Sequence, residues 1–427
     1  MQLTDTAPAQ LQASDMAETL IGSEIIKLAG EINDKIKQGH KIYNLTIGDF
    51  DPTVFPIPTL LRDEIIRAYM QGHTNYPVAS GMPDLVKEVS VFLKKYQGLD
   101  YAGNEILISG GARPLIYAIY KTIVNPGEKV LFPIPSWNNN HYCHLSGAEA
   151  IGIETTAENN FMPTAEELKP YLSKVALVAL CSPLNPTGTV FSKHTLTRIC
   201  ELIVEENKKR KGKKPLYLMY DQIYWALTFG NNHHEDPVTL VPEMRSYTIY
   251  VDGLSKAFAA TGIRVGWSFG PTAIIDKMKS ILSHVGAWSP KAEQVATARF
   301  LAQHDEVESY LTSFKSEVEK RLDAFYIGFT QLKKEGYDVD VINPQAAIYL
   351  TVKFNILHKT TPDGQVLKNA SDITYFLVNH AGVGIVPFSA FGTSDQSTWF
   401  RLSVGTAKLE DIESIFAGLR KALQLLK

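Results

Sequence analysis

The sequence predicts an α/β chain in two parts: a large domain on a mostly parallel, doubly wound sheet, and a smaller α+β domain. Three observations carry this reading. Up to about residue 296, short apolar runs of strand length alternate with segments whose apolar residues recur at helical spacing, as when strands are joined by crossover helices. The run 175–181, Val-Ala-Leu-Val-Ala-Leu-Cys, has no polar side chain, as a strand covered on both faces requires. Beyond residue 296 a long helical segment and scattered short strands replace the alternation. The expected division is therefore 53–296 for the large domain, with 1–52 and 297–427 forming the small one from both chain ends. A chain of 427 residues is long enough for two such units.

Composition narrows the function. With 42 basic and 45 acidic residues the net charge is −3, which gives no reason to expect nucleic acid or an anionic membrane as partner. A small substrate is the better expectation. Residues 1–17 are polar, carry Asp5 and Asp15, and lack the apolar core of a signal peptide. No apolar run approaches the ~20 residues of a membrane span. The three cysteines, Cys143, Cys181 and Cys200, are odd in number and lack metal-like spacing, which suits a reducing, cytoplasmic setting.

Taken in order, residues 18–37 carry Ile25, Leu28, Ile32 and Ile36 at helical spacing, with Ser23 or a residue before it as cap. A short β-like stretch, 42–50, contains Gly48, and a helix over 58–71 precedes the turn Tyr76-Pro77-Val78-Ala79-Ser80-Gly81. The strand 105–109 runs into Gly110-Gly111-Ala112-Arg113 and an apolar helix, 115–123. Strand, glycines and helix start together make an anion site, because free N–H groups and the positive helix end face the turn. The next strand, 129–132, leads to Pro133-Ile134-Pro135-Ser136-Trp137, putting a flat indole just beyond a strand end, where ligands of open α/β sheets bind. The buried strand 175–181 opens into Ser182-Pro183-Leu184-Asn185-Pro186-Thr187-Gly188, a turn on any reading. A helix over 193–208 follows, then the basic run 208–214, read as a solvated connection.

The strand 216–220 ends in Asp221-Gln222-Ile223-Tyr224, and a carboxylate at a buried strand end needs a partner. Segment 231–236 holds His233 and His234 without a third ligand; it reads as an exposed loop, not a metal site. The strand 247–251 delivers Gly253-Leu-Ser-Lys-Ala-Phe-Ala-Ala-Thr-Gly-Ile-Arg-Val-Gly266. Here Lys256 sits among small residues, beside Ser255, although a lysine is ordinarily a surface cation with a pKa near ~10.4. A buried amine of this kind is suited to forming a Schiff base with a carbonyl, and Arg264 further on is suited to phosphate. In the last third, 296–333 reads as one helical segment, 349–352 and 383–386 as strands, 371–380 as a helix and 409–426 as an amphipathic helix. Arg401, in the apolar stretch Trp399-Phe400-Arg401-Leu402-Ser403, calls for an anion.

In these motifs and their order the chain resembles the class I, aspartate-type aminotransferases of the pyridoxal phosphate-dependent fold type I superfamily. The lysine signature is met at every constrained position. The resemblance implies pyridoxal 5'-phosphate as cofactor and a ping-pong aldimine mechanism, in which an L-amino acid and a 2-oxo acid such as 2-oxoglutarate exchange an amino group. Lys256 then bonds the cofactor and moves the α-proton. Asp221 faces the ring nitrogen, Asn185 and Tyr224 the phenolate oxygen, and Trp137 stacks on the ring. Gly111, Ala112, Arg113, Ser255 and Arg264 hold the phosphate, joined by Tyr76 from the other subunit of a homodimer. Arg401 binds the substrate α-carboxylate, near Gly48, Trp137 and Asn185.

The chain departs from the family pattern in several places. Asp49-Phe50-Asp51 stands for Glu-Pro-Asp, Ser182 for an asparagine, Gln222 for a glutamate, and Phe388 for a glycine on the substrate side. Aspartate is the first expected donor, aromatic or other amino acids the next; Lys121 is either a contact for a distal carboxylate or a surface lysine. A β-lyase or synthase on the same scaffold, and a non-catalytic binding protein, are the alternatives.

Overall fold

The computed structural model describes residues 13–427, so the expectation for residues 1–12 lies outside the described residues. Its strands are β1 Tyr43–Asn44, β2 Ile106–Ser109, β3 Lys129–Ile134, β4 Glu149–Glu154, β5 Leu177–Cys181, β6 Tyr217–Asp221, β7 Thr248–Gly253, β8 Gly266–Phe269, β9 Val339–Val341, β10 Tyr349–Phe354, β11 Val383–Gly384, β12 Val386–Pro387 and β13 Trp399–Ser403. Seven of them form one sheet in the order β2-β8-β7-β6-β5-β3-β4, parallel except for β8, which runs against both neighbours. Parallel strands point their carboxyl ends the same way, so Trp137, Asn185, Asp221 and Lys256 follow four strands out of one edge of the sheet.

Alternation within each strand divides the core in two. Leu218 and Tyr220 of β6 pack with Val178, Leu180 and Trp267 on one face, while Met219 packs with Phe132, Ala179 and Val251 on the other. A third cluster, with Phe325, Leu350, Phe400 and Phe416, fills the part built from β9, β10, β12, β13 and the long helix His304–Lys334. The N-terminal segment joins it: β1 pairs in parallel with β11, and Ser23 caps the helix Glu24–Lys37 by accepting from the Ile26 N–H.

Several elements differ from the sequence expectation. The segment 296–333 belongs to two helices, Lys291–Leu301 and His304–Lys334, because Gln303 leaves helical geometry and Asp305 and Glu306 favour a fresh start. The stretch 383–386 is not one strand: β11 pairs with β1, whereas β12 pairs with β13. Of 42–50 only β1 is laddered. The helix of 371–380 is Ala370–Phe376, continued by a wider turn over Leu377–Ala381. The basic run splits too, with Lys208 and Lys209 closing the helix Lys193–Lys209 and Lys214 pairing with Glu128.

The segment 231–236 is an exposed loop only in part: Asn231 and His233 are exposed, whereas its end is anchored. Asp236 is buried, and its carboxylate accepts from the Val238 and Thr239 N–H groups, capping Pro237–Leu240. His234 Nε2 lies 3.3 Å from Gln222 Oε1, and burial pushes its imidazole down to about 4, so it is neutral. Two histidines among polar residues gave no sign of this anchoring. Among the described residues, no helix is long and apolar enough to cross a membrane.

Candidate active site

A pocket of about 600 Å³ opens at the carboxyl edge of the seven-stranded sheet, lined also by Tyr349 of β10, Arg401 of β13 and Ile25, Ile26 and Ala29 of the helix Glu24–Lys37. Lys256 stands in it on the single turn Leu254–Ala257, directly after β7. The turn comes this close to β8 because Gly253 has no side chain: a Cβ there would lie 2.7 Å from Gly266 Cα. Lys256 Nζ donates to the Gly48 carbonyl at 2.6 Å. Burial lowers its pKa to about 8; Asp49 opposes the shift, while Arg401, Arg113 and Arg264 add to it.

Behind the lysine, Arg264 is fixed by two carbonyls. Its Nη1 donates to Thr261 O at 2.7 Å and its Nη2 to Gly110 O at 2.8 Å. The guanidinium lies against Gly111, where a Cβ would be 2.2 Å from Nη2 and where φ is +95°, so both space and conformation call for glycine. Gly111 opens the helix Ala112–Ile123, and no side chain caps that end. The N–H groups of Ala112 and Arg113 are thus donors without an intrahelical acceptor, next to a fixed guanidinium. Ser255 lines the same end of the pocket.

Asp221, at the end of β6, is paired in register with Cys181. Its Oδ1 accepts from the Ile223 N–H at 3.1 Å, and burial raises its pKa to about 6. It has no cationic partner among the described residues. Trp137 forms one wall, with the Arg113 guanidinium 5.3 Å from its ring centre.

Opposite, Arg401 of β13 is 1% exposed. Its Nη1 donates to Asn185 Oδ1 at 2.9 Å and its Nη2 to Thr46 O at 2.6 Å, while Nε has no partner among the described residues. The rings of Tyr349 and Phe391 flank it at 4.6 and 5.0 Å. Its partners are neutral acceptors, so its positive charge is uncompensated. Because Asn185 turns its oxygen to Arg401, its amide nitrogen remains a donor. Tyr224 shares a 2.6 Å hydrogen bond with the Tyr349 hydroxyl.

The structure thus brings Gly48, Gly111, Ala112, Arg113, Trp137, Asn185, Asp221, Tyr224, Ser255, Lys256, Arg264 and Arg401 together at one pocket. Three sequence candidates lie elsewhere. Tyr76 is 83% exposed, edge-on to Trp288. Lys121 is exposed on the outer side of its helix and does not line the pocket. Phe388 is buried against Phe161 and Phe391, filling a small core beside the pocket with an aromatic ring. Sequence reasoning missed Tyr349, Asp49 and Thr261. Asp49 accepts from Thr261 Oγ1 at 2.6 Å and from the Phe50 N–H. In the sequence Asp49 is only a loop carboxylate beside Gly48, and Tyr349 only a strand residue.

Comparison with known proteins agrees with this architecture. The family model for aminotransferase class I and II matches residues 40–417. The chain is 29% identical to the aspartate aminotransferase of Bacillus sp. (strain YM-2) over 382 residues, covering 89% of this chain and 92% of that one. It is 28% identical to the bifunctional aspartate aminotransferase and glutamate/aspartate-prephenate aminotransferase of Petunia hybrida, over 100% of this chain and 86% of that one. The crystal structure of the aspartate aminotransferase from Rhizobium meliloti superposes with a TM-score of 0.89 at 25% identity, over 98% of this chain and 100% of that one. With a family match spanning nearly the whole described chain, and a fold and pocket of the kind its motifs imply, this protein belongs to the class I and II aminotransferases.

Proposed function

We propose that this aminotransferase uses pyridoxal 5'-phosphate to move the amino group of L-aspartate to a 2-oxo acid such as 2-oxoglutarate. The observation that carries the reading is the placement of Lys256, a buried amine with a lowered pKa, between the anion cradle at Gly111 and Arg264 and the uncompensated Arg401. The residues present fit the cofactor. The cradle suits a phosphate, and Asp221, buried without a cation, suits a protonated ring nitrogen. The cofactor, when bound, supplies a carbonyl for the amino group and a ring that accepts electrons.

The protein's own residues do the rest. Arg401 takes the α-carboxylate of either substrate, a charge-assisted pair in place of its neutral acceptors. With its pKa lowered to about 8, roughly a tenth of Lys256 is free amine at pH 7, several hundred times the share of an ordinary lysine, and in that form it removes a proton at the α-carbon and returns it. Asp221 would hold a proton at the ring nitrogen, and the Asn185 amide and the Tyr224 hydroxyl would donate to the ring oxygen. Gly48 lies at the substrate end, where a Cβ would strike the Tyr349 hydroxyl at 2.6 Å.

Aspartate is favoured by a second free cation. Arg113 has no carboxylate partner among the described residues, and its guanidinium lies over Trp137 at the pocket, a place suited to a distal carboxylate. This is the part that Lys121, outside the pocket, does not fill. The names of the Bacillus and Petunia relatives support the same donor. The domains divide at about 53 and 296, the active form is a homodimer in which Tyr76 reaches the other subunit's phosphate, and the three free cysteines suit the cytoplasm.

A panel of amino donors, read by the change in cofactor absorbance, tests the reading. Aspartate should convert the cofactor to its amine form without releasing ammonia, and Lys256→Ala should abolish the conversion. Arg113→Gln should raise KM for aspartate by roughly 10- to 100-fold while changing that for alanine little, as expected for one lost charge-assisted pair. Equal losses for both donors would sink the role of Arg113.

A further inference from the structure

The pocket uses one side of the strand ends; the other side carries a second buried carboxyl group, Asp252. Asp221 pairs with Val251, so Gln222 and Asp252 follow side by side in the next position, and alternation turns both away from the pocket. Each is 0% exposed. Asp252 Oδ2 accepts from Gln97 Nε2 at 3.0 Å and from Gln222 Nε2 at 3.2 Å, and its Oδ1 accepts from the Gly253 N–H at 2.7 Å. Gln222 Nε2 also donates to Gln97 Oε1 at 2.6 Å, and its Oε1 lies 3.3 Å from His234 Nε2.

This cluster collects hydrogen bonds from three elements. Gln97 ends the helix Pro83–Gln97. Gln222 begins the turn whose Ile223 N–H is bonded to Asp221. Gly253 begins the turn that carries Lys256. One carboxylate therefore ties together the turns that present Asp221 and Lys256. A buried carboxyl group with only amide partners is costly to keep, and a well-packed apolar residue would hold the two strands as firmly. What an apolar residue lacks is direction, since its contacts leave each turn free to rotate.

We infer that Asp252 is a positioning residue of the amino-transfer site, fixing through Gln222 and the Gly253 N–H the spacing and orientation of Asp221 relative to Lys256. The inference rests on the pyridoxal phosphate reading above. That reading is checked first: the unmodified chain must bind pyridoxal phosphate with a visible absorbance band that Lys256→Ala lacks. Asp252→Ala, verified as folded by far-ultraviolet circular dichroism, should then bind the cofactor roughly tenfold more weakly, the effect of about one lost buried hydrogen bond. The visible circular dichroism of the bound chromophore should change, and kcat should fall while KM for the amino donor stays within about twofold. Asp252→Asn keeps an acceptor for the Gly253 N–H and should recover part of the affinity; a variant no better than alanine overturns the hydrogen-bond account. Unchanged affinity and an unchanged visible spectrum in folded Asp252→Ala overturn the inference outright. If that variant does not fold, Gln97→Ala, at a half-buried helix end, should shift the same readouts in the same direction by a smaller amount, and no shift there overturns it.

Discussion

Asp221 and Lys256 are both held where burial works against their charge, and the consequence differs for each. Asp221 has a pKa of about 6 in the fold against 3.8 as an ordinary carboxyl, so the folded chain binds the proton more tightly than the unfolded one. Its contribution to stability is present in full below about pH 4 and is lost as pH rises through 6. In cofactor-free protein, Asp221→Asn should therefore raise stability above pH 6 by about 1 to 3 kcal/mol and leave it little changed at pH 4, measured as paired thermal melts. The same variant, loaded, should lose at least ~100-fold in kcat, because an amide does not hold the ring nitrogen's proton. Residues like these stood out in the sequence: a lysine and an aspartate just at or after buried strands, and an arginine inside an apolar strand, have few structural uses there. Tyr349 and Asp49 were not, because a tyrosine in an apolar strand and a carboxylate in a loop have common structural roles, and only the fold shows which side chain meets Arg401 or Thr261.

The turn between β2 and its following helix is the element to which the proposed function assigns the phosphate, and its shape is set by Gly111. Gly111→Ala should weaken cofactor affinity by roughly 10-fold or more, since a methyl group would displace Arg264 and strain a backbone at positive φ. Equilibrium titration with pyridoxal phosphate measures this, and a parallel melt of the cofactor-free chain separates lost binding from lost fold. At this scale the long apolar strands were readable because a strand buried on both faces leaves a continuous run. The two-residue ladders β1, β11 and β12 were not, being too short to show a period. The break at Gln303 was hidden as well, since apolar spacing continues on both sides of it. The helices Pro83–Gln97 and Thr272–Val285 were not among the expected elements, although Leu85, Val89 and Phe92, and Ile275, Met278 and Leu282, are spaced for a buried helical face.

At the scale of the whole molecule, Tyr76 does not line the pocket, and Tyr69 and Met70 are exposed at 49% and 84%. Such apolar exposure fits a covered face between two copies. The chain should sediment as a dimer, and Tyr76→Phe should leave the dimer intact while weakening cofactor binding several-fold, the size of one lost hydrogen bond. A fully active monomer would count against the shared site. The change from alternating strands and helices to a long helix with short strands could be anticipated near residue 296; how the chain ends meet could not, since nothing local says that β1 is waiting for β11. That pairing has a consequence in time. A chain is made from its N-terminus, and Thr46, which receives Arg401, precedes it by 355 residues, whereas Gly111 and Arg264 are both complete well before β11 is synthesised. The emerging protein therefore has both halves of the Gly111 and Arg264 contact before it has both halves of the Arg401 and Thr46 contact, and residues 43–49 spend most of synthesis without the partners that give them their place.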